Sequence, residues 1–188
     1  MRTVTWTEMA EGTEDDYRYL DKVYIDHARG GLVDNLLGIL GTLRGPKLGY
    51  QVDRYEHSLQ SASRALRADE SADWVVGALL HDIGDVFAPE NHSEAAAALL
   101  APYVSDEVHW VVKHHGIFQG YYYFHHLGGD RNARDRYADS PHYEACRRFC
   151  ADYDQNCFDP DYDTLPIEAF GPVLAEVFAR PSHLPSSG

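Results

Sequence analysis

Residues 71–85 read SADWVVGALLHDIGD, and the fold turns on how this stretch is read. From Trp74 to Leu80 almost every side chain is apolar, which leaves no polar face for solvent and describes a helix buried on all sides. Ser71 is placed to cap that helix, and Asp73 falls in its first turn, where a negative charge suits the helix dipole. Gly84 is placed to end it. The run therefore predicts a buried helix over 71–83 that carries His81 and Asp82 to its C-terminal end. A neutral nitrogen donor then stands beside a hard anionic oxygen donor, well inside the molecule.

Outward from this helix the same helical spacing recurs. Residues 17–43 predict one or two helices, interrupted near Gly30 and Gly31, and the break RGPKLGYQVD around Pro46 lets a new helix start at Tyr55 and carry His57 to Leu66. An alanine-rich helix over 93–100 begins just after His92. Ser105, followed by Asp106 and Glu107, caps a helix over 105–115 that ends in His114 and His115, with Gly116 as its stop. Residues 117–141 turn aromatic and then charged, which suits a partly helical segment or lid. A helix over 143–153 ends near Asp154, the stretch FDPDYDTLP is turn-rich, and 167–178 gives a last amphipathic helix. No β alternation and no repeat is present, so the fold class is all-α: a single-domain helical bundle. Within it, 1–46 is expected to be a helical segment packing on a core domain over 47–180, with a disordered Pro/Ser tail over 181–188.

The chain of 188 residues with 44% hydrophobic content can bury one sizeable core. A net charge of −14, from 30 acidic and 16 basic residues, opposes attraction to nucleic acid or an anionic membrane, so the expected partner is a small-molecule substrate. No run approaches the roughly 18 apolar residues of a membrane span, and the N-terminus lacks a signal-peptide pattern, so a cytoplasmic location is expected. Oligomeric state leaves no mark in the sequence. Cys146, Cys150 and Cys157 form an odd set without CxxC spacing, which reads as buried small hydrophobes rather than disulfides or a thiolate metal site.

Histidine use is the outlier, because nine of the 11 histidines fall between His57 and His142. Six residues on separate helices or helix ends form a candidate ligand set: His57, His81, Asp82, His92, His115 and Asp154. Any one histidine is more often a surface or hydrogen-bonded residue than a ligand. Together, with an Asp able to bridge two cations through its two oxygens, they describe a dinuclear site in the bundle core. The mixed nitrogen and oxygen donors suit Fe or Mn, with Zn, Ni or Co as alternatives. His115 is preferred to His114 because it lies nearer the helix end, and His109 is read as surface.

The motifs EHSLQ, LLHDIGD, NHSEAAAALL and VKHHG resemble the HD-domain superfamily over roughly residues 50–178. Within it, the chain is most similar to the mixed-valent diiron oxygenases, the group of myo-inositol oxygenase and the hydroxylated aminoalkylphosphonate oxygenases. The resemblance extends to CADYDQNCFDPDYDTLPIEAFGPVLAEVF near the C-terminus. It implies an HD domain over 47–180 holding two iron ions as Fe(II)/Fe(III), with His57, His81, Asp82 and Asp154 on one, His92 and His115 on the other, and Asp82 bridging. Dioxygen would be the co-substrate, and a C–C or C–P bond of a small hydroxylated polar molecule, such as an organophosphonate, would be cleaved.

Three positions depart from those relatives and bear on the substrate. A lysine that follows HDxG in the inositol enzyme is Asp85 here. An acidic residue seven positions before the first histidine of the aminophosphonate enzyme is Tyr50, and a lysine four positions after the fourth histidine is Gln119. Arg54, Lys113, Arg131 and Arg134 are candidate cations for an anionic substrate group, with Lys113 taken beside Asp82 as a candidate catalytic residue. Tyr50 and the run Tyr121, Tyr122 and Tyr123 are candidates for an aromatic wall that would hold a quaternary ammonium, or for simple lid packing. His125 and His126 are further substrate-contact candidates. The alternative activity is an HD phosphohydrolase, in which other divalent metals polarise a phosphate and activate hydroxide.

Overall fold

The computed structural model describes residues 2–183, and every regular element among them is helical. Glu14–Gly30 forms α1 and Leu32–Gly41 forms α2, separated at Gly31 as the glycine pair suggests. Arg54–Arg67 is α3, Ala72–Leu80 is α4, His92–Leu100 is α5, Asp106–Tyr123 is α6, Tyr143–Phe149 is α7 and Gly171–Phe178 is α8. Helix α4 lies at the centre, against α3, α6 and α8, and its residues from Trp74 to Leu80 are all buried. The apolar run leaves it no solvent face, as the sequence demands.

Capping follows local chemistry. Asp53 accepts from the Glu56 N–H at the start of α3, and Ser105 accepts from the Val108 N–H at the start of α6. Ser71 sits at the expected cap position of α4, but its hydroxyl makes no capping bond. Asp73 instead accepts from the Ser105 N–H at 2.7 Å and from Arg180, which ties α4 to α6 and to the end of α8.

Two expected boundaries are corrected. The helix through 71–83 stops at Leu80, and a 3-10 turn, Ile83–Val86, follows. Asp82 lies between them at φ −102 and ψ 8, the sparsely populated bridge region. On a continuous helix, adjacent side chains point about 100° apart. The change of winding at Asp82 lets His81 and Asp82 serve one centre. Gly116 does not stop α6, which continues to Tyr123. A Cβ on Gly116 would stand 3.1 Å from Ser93 Oγ, so the missing side chain lets α5 and α6 approach closely instead of ending the helix.

Helix α7 widens at its end into a π turn, Cys150–Asp154, in which the Gln155 N–H bonds to the Cys150 carbonyl five residues back. The three cysteines are free and buried. Helix α2 buries Leu36 and Leu40 in the core, each contributing at most about 1.5–3 kcal/mol, whereas α1 buries no residue. Of the expected tail, residues 181–183 are described, and the His183 N–H bonds to the Pro102 carbonyl; residues 184–188 lie outside the described part. No helix among the described residues is long and apolar enough to cross a membrane.

Candidate metal centre

Helices α3, α5 and α6, the junction just after α4 and the π turn after α7 each direct a His or Asp toward one point beneath a cavity of about 330 Å³. His57 and His81 are fully buried, and Asp82, His115 and Asp154 nearly so, while His92 keeps partial exposure. The two oxygens of Asp82 divide the histidines. Oδ2 lies 3.4 Å from His57 Nε2 and 3.5 Å from His81 Nε2, whereas Oδ1 lies 3.2 Å from His115 Nε2 and 3.5 Å from His92 Nε2. Asp154 Oδ1 joins the first pair, 3.4 Å from His57 Nε2 and 3.8 Å from His81 Nε2. Donors bonded to one metal at ~2.1 Å stand roughly 3.0–3.4 Å apart at octahedral to tetrahedral angles, close to these separations.

The opposite ring nitrogens settle the tautomers. Nδ1 of His57 donates to the Cys157 carbonyl at 3.1 Å, that of His81 to Ala78 at 2.7 Å, and that of His115 to Val112 at 2.7 Å. His92 Nδ1 faces two acceptors, the Pro89 carbonyl at 3.4 Å and Asp85 Oδ1 at 3.3 Å. A carbonyl only accepts, so Nδ1 carries a proton in each ring; a neutral ring then turns its Nε2 lone pair into the centre, and His115 does so once the second proton, shared with Asp82 Oδ1 at 3.2 Å, has left. His57 Nε2 and His81 Nε2 thus face each other at 3.2 Å, and Asp154 Oδ2 is buried without a hydrogen-bond partner. Converging lone pairs and an orphaned carboxylate oxygen fit a cation between them. His57, His81 and Asp154 could hold one ion and His92 and His115 another, with Asp82 between.

Charge in the cluster is balanced against burial. Burial lowers the His81 pKa to about 4, so this ring stays neutral. Burial acts the same way on His115, but its hydrogen bond to Asp82 and the charges of Asp82 and Asp154 outweigh it, and its pKa is raised above the ordinary 6.5. Burial also opposes ionisation of Asp82 and Asp154, yet the surrounding histidines hold both below the usual carboxylate value. Because His115 binds its proton more tightly folded than unfolded, its stabilisation of metal-free protein is full below 6.5 and fades as pH rises through the raised value. An incoming cation must displace that proton. Calorimetric titration with Zn²⁺ in buffers of different ionisation enthalpy is expected to show proton release that dies away as pH rises above 6.5 and through the raised value; a release that does not change with pH would contradict it.

Five of the candidates for substrate contact or the aromatic wall line the cavity: Tyr50, Arg54, Gln119, Tyr122 and Tyr123. Arg54 reaches Asp82 Oδ2 at 3.4 Å through Nη1 and Asp85 Oδ2 at 3.3 Å through Nε. Gln119 donates to Asp154 Oδ1 at 2.8 Å. Asp85 sits behind the wall, between Arg54 and His92 Nδ1.

The remaining candidates lie elsewhere. Lys113 is exposed, two residues from His115 and so about 200° around α6 from it. His125 and His126 are exposed, their rings tilted against each other with centres 3.9 Å apart, and Arg131 packs on Tyr121. His114 stacks on Trp110 at 4.1 Å, away from the centre. Sequence reasoning missed Phe158, whose ring lies between His57 and Tyr50 at 4.5 and 4.6 Å. An aromatic residue in an otherwise polar turn was its signal. Gln155 also lines the wall, without a comparable signal.

Comparison with family models matches the HD domain to residues 54–156, more than half of the chain and the span that runs from α3 through the π turn. No curated protein is found to match the chain. All six of the clustered His and Asp residues fall within the matched span. The chain therefore belongs to the HD domain family, whose members are typically metal-dependent enzymes.

Proposed function

We propose that the protein is a non-haem diiron oxygenase that uses dioxygen to cleave a C–C or C–P bond of a small hydroxylated polar substrate such as an organophosphonate. The observation that carries this reading is the cavity wall: Arg54 is its one cation, and the remaining wall outside the His/Asp cluster is tyrosine, phenylalanine, glycine and amide. A nucleotide polyphosphate calls for several Lys or Arg side chains. A cavity of about 330 Å³ suits a small molecule instead. The nitrogen and oxygen donors suit iron, and burial pushes the Cys157 thiol up to about 12, so that no thiolate competes there.

Iron bound there would supply electron transfer to dioxygen and a Lewis acid for the substrate hydroxyl. The chain's own residues supply the rest. Arg54, held between Asp82 and Asp85, presents its charge to an anionic substrate group at the cavity wall. Asp85 accepts the His92 Nδ1 proton and so orients that ring, and Gln119 does the equivalent for Asp154. Tyr50 stacked on Phe158, together with Tyr122 and Tyr123, limits water at the reacting bond.

Protein from iron-supplemented cells is expected to carry iron, to give a mixed-valent EPR signal after partial oxidation, and to consume dioxygen with hydroxyalkylphosphonates. Any phosphate released should require air. Phosphate release from esters or nucleotides that continues anaerobically would replace this reading with a metal-dependent HD phosphohydrolase, in which the same centre polarises a phosphate.

A further inference from the structure

A second cavity, of about 630 Å³, lies across Tyr122 from the metal centre, bounded by Tyr121, Arg134 and the α7 residues Ala145, Arg147 and Arg148. Tyr122 lines both cavities. Arg134 comes from a 3-10 turn, Ala133–Tyr137, and is only 8% exposed, which makes it the one arginine in the buried class among the described residues. Its Nε is buried with no hydrogen-bond partner. Its guanidinium carbon lies 3.8 Å from the centre of the Tyr121 ring, and no carboxylate among the described residues forms an ion pair with it.

The two other arginines that line this cavity are paired, whereas Arg131, packed on the same Tyr121 ring, lies outside its lining. Arg147 pairs with Glu144 at 2.8 Å, and Arg148 pairs with Glu70. Arg134 therefore stands out in a chain that carries 30 acidic residues and spares none for its most buried guanidinium. A guanidinium does not shed its proton to escape burial, and an aromatic face compensates only part of the lost hydration. The missing counter-charge has a place to sit, because Arg134 itself walls the cavity and Ala145 leaves space beside it. Of the two acids at the rim, Glu144 and Asp152, both are exposed, and Glu144 is already engaged by Arg147.

We infer that this second cavity binds a small oxyanion, of phosphate, phosphonate or carboxylate type, on the Arg134 guanidinium. The planar array of N–H donors on arginine suits a compact oxyanion. Burial raises the pKa of Tyr122, which keeps its hydroxyl protonated and able to donate. The inference is independent of the chemistry assigned to the metal centre, although an anion held here fixes the wall that the two cavities share.

The test is thermal unfolding of the full metal-loaded chain at constant ionic strength, with chloride replaced stepwise by inorganic phosphate, methylphosphonate or acetate. A saturable rise in melting temperature with at least one of these is expected, and the relative midpoints distinguish phosphate-type from carboxylate ligands. The response should vanish in Arg134→Gln and persist in His92→Ala, which disturbs only the metal centre. Ala145→Glu covers the case in which Arg134→Gln fails to fold: it supplies an internal carboxylate, and should abolish the response while raising the starting melting temperature. No oxyanion response in the wild type, a response that survives Ala145→Glu, or one lost in His92→Ala would overturn the inference.

Discussion

Replacing Asp82 by alanine is expected to empty the centre of both metal ions at once. Its oxygens serve different histidine pairs, Oδ2 toward His57 and His81 and Oδ1 toward His92 and His115, so one substitution removes a donor from each set. It also removes the anion common to both, leaving neutral imidazoles with Asp154 alone to balance two cations. Partners outside the ligand shell already account for about 10–100-fold in metal affinity, and loss of a bridging ligand should exceed ~100-fold at each position. His92→Ala takes a donor from one position only and should retain the ion held by His57, His81 and Asp154. His183→Ala, far from the centre, should change nothing. Metal content after dialysis measures all three, and equal retention in Asp82→Ala and His183→Ala would refute the assignment.

The second large effect comes from a residue with no side chain. A Cβ on Gly84 would stand 2.4 Å from the His92 carbonyl oxygen and 2.7 Å from its Cα, and both are backbone atoms that cannot rotate away. Gly84→Ala must therefore push the start of α5 outward and carry the His92 ring with it. Overpacking of this kind costs about 1–3 kcal/mol, roughly 2–12 °C in melting temperature for a chain of this size. The stability loss should come with selective loss of the ion on the His92 and His115 side, while the other stays bound. Metal content with a melting curve tests this, and unaltered occupancy at an unaltered melting temperature would show that the contact is relieved in solution.

Much of this architecture could be read in the order of residue types, and the failures have physical causes. The helices were legible because each carries a clear apolar pattern, above all the run from Trp74 to Leu80. The boundary at Gly116 was not, because a glycine that stops a helix and one that admits a neighbouring helix look alike until Ser93 is seen against it. The six clustered residues could be chosen from 11 histidines and many acids by their types and order on successive helices, although His115, preferred for its nearness to a helix end, lies in the middle of α6. Lys113 was misplaced for want of a simple angular argument, since two residues of helix turn a side chain away from His115. The carbonyls of Ala78, Val112 and Cys157 that fix the imidazole tautomers carry no residue-type signature, so no reading of side chains would find them. The same holds for Arg134, whose isolation depends on where acidic residues fail to fall.

The bond from His57 Nδ1 to the Cys157 carbonyl spans 100 positions of the chain. During synthesis His57, His81, His92 and His115 all leave the ribosome well before the turn that carries Asp154, so a nascent chain displays imidazoles to any passing cation before its last carboxylate exists. Imidazoles alone favour copper and zinc over iron. Long-range closure of this kind is also slow relative to local helix formation. On the proposed iron reading, the metal is thus decided late, when the final third of the chain docks, and expression under copper or zinc excess should load those ions into a share of molecules that depends on the rate of that docking.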